Sequence, residues 1–452
     1  MPDRRWVKEL LERERDQFVK THPRSGELHS SASRSLLSGV PMNWMTRWAG
    51  PFPVFLREAQ GSRVVDVDGN EYVDLCLGDT GAMTGHSPAP TVAAITDQAR
   101  RGITTMLPTE AALSVGETLE RRFGLHHWQF TVSATDANRF TIREARHVTG
   151  RPKILVFNHC YHGSVDETFA TLTDQGVVPR YGNVGPPVDV ALTTRVAEFN
   201  DVDRLARELA HGDVACVLTE PALTNIGIVL PDPDFHEHLR RLTRDAGTWL
   251  VIDETHTLCC GPGGYTGAYG LEPDALTVGK PIAGGIPTGA YGFTDEIAEQ
   301  VIERSFREAA DVGGVGGTLA GNALSLAAVE ATLNEVLTEE AFVRMIALAE
   351  RYERGVSRVL EQTSMQWSVT RLGCRVEYMF APTLPHTGAE AADAMDTDLD
   401  AFMHLYMLNR GILLTPFHMM ALMSPATSEA DVDAHTKAFE QATGELLGSA
   451  SP

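Results

Sequence analysis

The sequence predicts an α/β fold: a large domain with a mostly parallel mixed sheet covered by helices, and a smaller α+β domain from the N- and C-terminal parts. Three observations predict it. From about residue 88, helical and strand patterns alternate. The strand candidates KILVFN (153–158), VACVLTEP (214–221), TWLVIDE (248–254) and DALTVGK (274–280) are short apolar runs, as expected where both faces of a parallel sheet are covered. The chain, at 452 residues, is too long for one simple core. The boundaries read from these patterns are 1–87 for an N-terminal helix, arm and β-hairpin belonging to the small domain, 88–334 for the large domain, and 335–452 for the rest of the small one.

The elements follow in order. MPDRRWVKELLERERDQF predicts an amphipathic helix with Trp6, Leu10, Leu11 and Phe18 on one face. It contains no hydrophobic run that could serve as a signal peptide. The serine-rich stretch from Ser25 to Ser38 reads as a linker, or an arm laid over a partner. RVVDVDGNEYVDL (63–75) alternates apolar residues on either side of Asp68-Gly69-Asn70 and predicts a β-hairpin. PAPTVAAITDQARRG and ALSVGETLERRFG are helical, the second ending at Gly124; HWQFTVSA is a strand, and ANRFTIREARHVTG a helix ending at Gly150. The C-terminal third pairs the helix EEAFVRMIALAERYERGVSRVLEQ with strands near WSVTRLG, VEYMFAP and GILLTP.

Composition bounds the function. A chain that is 43% hydrophobic and 22% charged is ordinarily globular, and a net charge of −22 argues against a general binder of nucleic acid or anionic membranes. Partners should be small molecules or copies of the chain itself. No segment approaches a membrane-spanning run of apolar residues. Six cysteines, Cys76, Cys160, Cys216, Cys259, Cys260 and Cys374, stand at no metal-ligand or disulfide-framework spacing, so reduced thiols in the cytoplasm are expected.

In such sheets ligands bind at the carboxyl ends of strands. Those ends carry Ser133, the segment Asn158 to His162, Glu220, Asp253 and Lys280. Lys280 lies in TVGKPIAGGIPTGAYG, where five of sixteen residues are glycine and two are proline, so neither a regular helix nor a central strand runs throughout. A lysine in an apolar pocket has its charged form disfavoured and becomes a nucleophile; the alternative is a lysine snorkelling out of a loop. Asp253 stands 27 residues earlier, as a helix N-cap or a buried counter-ion. One chemistry needs this pair: a lysine that forms a Schiff base with an aldehyde cofactor, and a carboxylate that keeps the cofactor's pyridine nitrogen protonated. Pyridoxal phosphate is that cofactor.

Its phosphate needs donors. Ser133, Ala134 and Thr135 precede a helix, where free N–H groups and the dipole favour an anion, although a plain N-cap explains the same residues. GVGGTLAGN (314–322) is a second glycine-rich turn, with Thr318 as hydroxyl donor. Tyr161 in CYHGS could cover the ring. His159 and His162 lack a third ligand nearby, so no metal is expected.

The order SATDA, YHG, EP, DE, GK and GTLAGN resembles fold-type I pyridoxal-phosphate enzymes of the class III aminotransferase group. The likeness is to glutamate-1-semialdehyde aminomutases and the related β-amino-acid aminotransferases, over about residues 50 to 435. The hairpin VDVDGNEYVDL and the C-terminal GILLTP and SPATSEADVD match as well. The resemblance implies that Lys280 forms the Schiff base and then shuttles a proton, while Asp253 pairs with the pyridinium nitrogen. It implies that Ser133, Ala134 and Thr135 bind the phosphate and that Tyr161 stacks on the ring, with His162 beside it in the cofactor set. Thr255 would face the opposite side of the ring, His256 would lie near the phenolic oxygen, and Glu220 would join the surrounding polar network. Thr318 would reach the phosphate of the neighbouring subunit, so a homodimer with shared active sites is implied.

Departures from the family pattern bear on the substrate. Ser-Ala-Thr-Asp replaces the usual Ser-Gly-Thr-Glu, and DETHTLCCGPGG remodels the loop after Asp253. Trp44 and Phe417 stand where resembling β-amino-acid aminotransferases place carboxylate-binding arginines, with Arg47 close to the first position. TPFHMMALM has no acid where aminomutase relatives have a glutamate. Met419, Met420 and Met423 suggest a wide apolar pocket, or serve as core filler. The expectation is a cytoplasmic aminotransferase moving an amino group between an amine, ω- or β-amino compound and a keto or aldehyde acceptor. An aminomutase or a racemase on the same scaffold is the alternative, and a cofactor-binding scaffold without turnover a further one. No G-x-G-x-x-G follows a first strand, which argues against a nicotinamide dehydrogenase.

Overall fold

Runs such as Leu250-Val251-Ile252 have no polar face, so they are stable only between two covering layers. In the computed structural model, which describes residues 3–185, 188–307 and 311–448, they line up in a seven-stranded sheet. Its order is His127–Thr131, Gly289–Phe293, Ala275–Val278, Trp249–Asp253, Val214–Thr219, Lys153–Phe157 and Thr194–Ala197. Gly289–Phe293 runs antiparallel to both neighbours, and the strands from Ala275–Val278 to Thr194–Ala197 are parallel. The mostly parallel mixed sheet expected from the sequence is therefore present.

Alternation along Lys153–Phe157 shows how both faces are covered. Ile154 and Val156 join a core with Ala137, Phe140 and Ala145 of the helix Ala134–Thr149, whose Phe140 ring meets Tyr291 edge-on. Phe157 turns the other way, into a cluster with Phe199 and with Phe235 of the helix Phe235–Ala246. Gly150 and Gly124 end their helices at φ 67° and 71°, a backbone that side chains with a Cβ rarely adopt.

The chain forms two compact units, one of residues 89–342 and 385–393, the other of 1–88, 343–384 and 394–452. The short segment 385–393 is fixed to the first by Asn200 Nδ2, which donates to the His386 carbonyl at 2.8 Å. The second unit carries a four-stranded sheet (Leu56–Gln60, Arg63–Asp66, Glu71–Asp74, Ile412–Leu413) and a three-stranded one (Ser368–Leu372, Arg375–Met379, Met420–Leu422). The predicted hairpin is real: Asp66 Oδ1 accepts the N–H groups of Asp68 and Asn70 and closes the turn.

Two readings are corrected here. The stretch beginning at Ser25 is no linker, because Pro23–Ala32 is a helix with proline in its first turn. Ser25 is buried, and its hydroxyl and N–H both reach Asp68. In the first helix, Arg4–Thr21, Val7 rather than Trp6 is buried beside Leu10, Leu11 and Phe18; Trp6 is partly exposed and its indole donates to the Glu445 carbonyl. Of the two roles open to Met419, Met420 and Met423, their burial fits core filler. Among the described residues no helix is long and apolar enough to cross a membrane, and the six cysteines are buried thiols.

Candidate active site

Parallel register brings the key strand ends together. Asp253 lies opposite Thr277, three residues before Lys280, and Ile252 lies opposite Thr219, which Glu220 follows. Three neighbouring strands therefore deliver Glu220, Asp253 and Lys280 to one edge of the sheet.

Asp253 is buried, and its charge is compensated. Its Oδ2 accepts from Asn138 Nδ2 at 2.8 Å and pairs with His162 Nδ1 at 2.9 Å, while Oδ1 accepts the Thr255 N–H at 3.0 Å. Burial alone would raise its pKa, but His162, Thr255 and Asn138 together hold it below the usual carboxylate value. Burial would likewise lower that of His162, yet Cys160 and the Asp253 carboxylate push it up. The two groups are thus an ion pair inside the protein. A carboxylate oxygen has two lone pairs, so Oδ1 can take one more donor. Close by in sequence, the Thr255 hydroxyl is buried without a hydrogen-bond partner.

Lys280 stands just past the strand Ala275–Val278, after Gly279, at φ 47°, a left-handed conformation that is strained for a side-chain-bearing residue. Its surroundings in sequence are apolar, but its head group is not in an apolar environment. Nζ lies 2.5 Å from His256 Nε2. His256 Nδ1 in turn lies 2.8 Å from Thr224 Oγ1, and the Thr224 hydroxyl donates to Glu220. His256 can reach Lys280 because the loop after Asp253 is pinned. Glu254, buried and with its carboxyl pushed up by burial, accepts the Thr257 hydroxyl at 2.6 Å and the N–H groups of Tyr265 and Thr266.

Ser133 is the N-cap of the helix Ala134–Thr149, so the plain capping role holds for its side chain. The first N–H groups of that helix have no intrahelical acceptor. Glycines crowd this end: a Cβ on Gly279 would lie 2.8 Å from the Ala134 Cβ and 3.0 Å from its nitrogen, and one on Gly163 would overlap the Thr135 hydroxyl. Thr135 Oγ1 accepts the Ser164 N–H at 3.2 Å. Tyr161 stands edge-on to Phe169 in the same loop region. Thr318 lies in an exposed turn before the helix Ala323–Ala331, and no hydrogen bond joins it to Ser133, Asp253 or Lys280 among the described residues.

In the other unit Trp44 and Phe417 meet edge to face, with ring centroids 5.4 Å apart. Arg47 ends the 3-10 helix Asn43–Thr46 and is exposed. Among the described residues no group of three metal-binding side chains forms.

Sequence reasoning missed Asn138, Thr277 and Thr224. Asn138 left a signal: a fully buried asparagine inside a helix is unfavourable unless its amide is used. The two threonines left none.

The family model for class-III aminotransferases matches residues 44–443. The glutamate-1-semialdehyde 2,1-aminomutase of Persephonella marina is 34% identical, across 94% of this chain and 99% of that protein. The crystal structure of a glutamate-1-semialdehyde aminomutase from Pseudomonas aeruginosa superposes with a TM-score of 0.96 at 51% identity, covering 99% of this chain and all of that one. An omega-transaminase from Sphaerobacter thermophilus gives 0.86 at 28% identity, over 94% of this chain and 98% of that one.

Proposed function

Because the chain belongs to the class-III aminotransferase family, whose enzymes depend on pyridoxal phosphate, we propose that Lys280 and Asp253 are its reacting amine and its ring counter-ion. The observation that carries the reading is the delivery of a buried, charge-paired Asp253 and of Lys280 by adjacent parallel strands. The residues present fit the cofactor. Oδ1 of Asp253 has a lone pair for a ring N–H, and the start of the helix Ala134–Thr149 offers N–H groups to a phosphate. Bound pyridoxal phosphate supplies an aldehyde and an electron-withdrawing ring.

The chain's own groups do the rest. Asp253, kept ionised by His162 and Asn138, fixes a proton at the ring nitrogen. Ala134 and Thr135 would hold the phosphate, and Tyr161, Thr255 and Glu220 would enclose the ring. Lys280 Nζ takes the proton from the donor carbon and returns it to the product. A homodimer, in which the exposed Thr318 reaches the partner's site, completes the reading, and the six buried thiols support a reducing, cytoplasmic setting.

The reaction is transfer of an amino group from an amine or an ω- or β-amino compound to a keto or aldehyde acceptor. Trp44 and Phe417, standing in sequence where resembling β-amino-acid aminotransferases place carboxylate-binding arginines, favour donors with an apolar group, since aromatic rings cannot clamp a carboxylate. A second reading, intramolecular amino transfer, is favoured by the names of the similar proteins, while the absence of an acid in TPFHMMALM stands against it. The test adds amines and amino acids to the cofactor-loaded protein without an acceptor. Transamination predicts stoichiometric release of a carbonyl product and loss of the visible band. Glutamate-1-semialdehyde isomerised catalytically, with no carbonyl released from any donor, would establish the second reading instead.

A further inference from the structure

We propose that His256 is the proton partner of Lys280, wired for that role by Thr224 and Glu220. The inference rests on Lys280 being the reacting amine, and it follows from counting protons. A threonine hydroxyl has one proton to donate. Thr224 donates it to Glu220 Oε2. Toward His256, Thr224 must therefore accept, and the hydrogen on that bond belongs to His256 Nδ1. In the neutral ring this leaves Nε2 with its lone pair, and Nε2 is the atom facing Lys280 Nζ at 2.5 Å.

The Lys280 ammonium thus donates to the imidazole. When the proton moves, one Nζ–H bond breaks and one Nε2–H bond forms. The amine recovers its electron pair, and the ring becomes an imidazolium whose charge is held through Nδ1–H and the Thr224 hydroxyl by buried Glu220. The reverse step returns the proton, and no other reactant is consumed. Two cations in contact repel, so the pair holds one shared proton and not two. The neighbouring charged groups are engaged elsewhere, Asp253 with Asn138 and His162, and Glu254 with Thr257, Tyr265 and Thr266. His256 is a positioning residue, acting through Lys280. Its source is the DETHT segment, where the sequence departs from the family pattern.

The test is the rate at which trinitrobenzenesulfonate labels Lys280 in the full-length, cofactor-free chain, read by peptide mass spectrometry as a function of pH. His256→Gln keeps a hydrogen-bonding side chain but cannot hold the proton. Relative to the unsubstituted protein, labelling should slow about ten-fold near pH 7, and the difference should vanish above about pH 11, where a free amine needs no proton acceptor. Glu220→Gln and Thr224→Val, which weaken the hold on the imidazolium, should slow it in the same direction by a smaller factor. His256→Gln labelled at the unsubstituted rate at every pH, or Thr224→Val and Glu220→Gln without effect, overturns the relay. Because labelling needs no bound cofactor, its outcome is independent of whether the amino-transfer reading holds.

Discussion

The Thr277 hydroxyl donates to Asn138 Oδ1 at 2.6 Å, and that bond decides which end of the Asn138 amide faces Asp253. With the oxygen engaged, Nδ2 is left for the Asp253 carboxylate. Thr277→Val removes this orientation at a cost of about 1 kcal/mol in stability. Asn138→Asp places a second carboxylate against Asp253 and costs more, because like charges cannot both stay ionised there. Thermal midpoints should rank the unsubstituted protein above Thr277→Val and Thr277→Val above Asn138→Asp. Affinity for pyridoxal phosphate should fall in the same order.

The His162–Asp253 pair predicts a pH window. Asp253 is depressed in the folded protein, so its contribution is present above its unfolded pKa and is lost as pH falls through the folded one. His162 is raised, so its contribution is complete below its unfolded value and is lost as pH rises toward about 10. The gap in thermal midpoint between the unsubstituted protein and His162→Asn should be widest near about pH 5–6 and narrow on both sides. A gap that widens steadily with rising pH contradicts the ion pair.

Asp400 gives the opposite sign. Burial, with Asp396 and Glu377 nearby, raises its carboxyl to about 7. The folded protein then holds a proton that the unfolded chain releases, so this residue lowers stability as pH climbs from about 4 to about 7. Asp400→Asn should stabilise by on the order of 2 kcal/mol near about pH 8 and by little near about pH 4. Unfolding midpoints at the two pH values check it.

Gly279→Ala tests the crowded helix start. The added methyl would lie 2.8 Å from the Ala134 Cβ and 3.0 Å from its nitrogen, so the helix terminus must shift. Cofactor affinity should drop about ten-fold or more while most of the fold's stability is kept. Equilibrium dialysis of pyridoxal phosphate against both proteins measures it.

What the sequence made legible follows from what each residue's neighbours in sequence reveal. Apolar runs and glycine stops announced the parallel strands and the helices, because burial on two faces and αL caps are local requirements. Lys280 and Asp253 were visible as polar residues ending apolar runs. The helix Pro23–Ala32 was hidden, since its serine-rich composition disfavours helix and its anchor is Asp68, about 40 residues away. The strand Gly289–Phe293 was hidden by its glycines, which are there because a Cβ at Gly289 would strike the Ser133 backbone. Thr224 and Thr277 acquire their roles only from partners that the fold brings near, and no local pattern marks them.

The most direct test of the central claim is borohydride reduction of the cofactor-loaded protein, followed by digestion and mass spectrometry. The account predicts one lysine carrying the mass of reduced pyridoxal phosphate, and that lysine is Lys280. Label on another lysine, or none after saturation with cofactor, would contradict it.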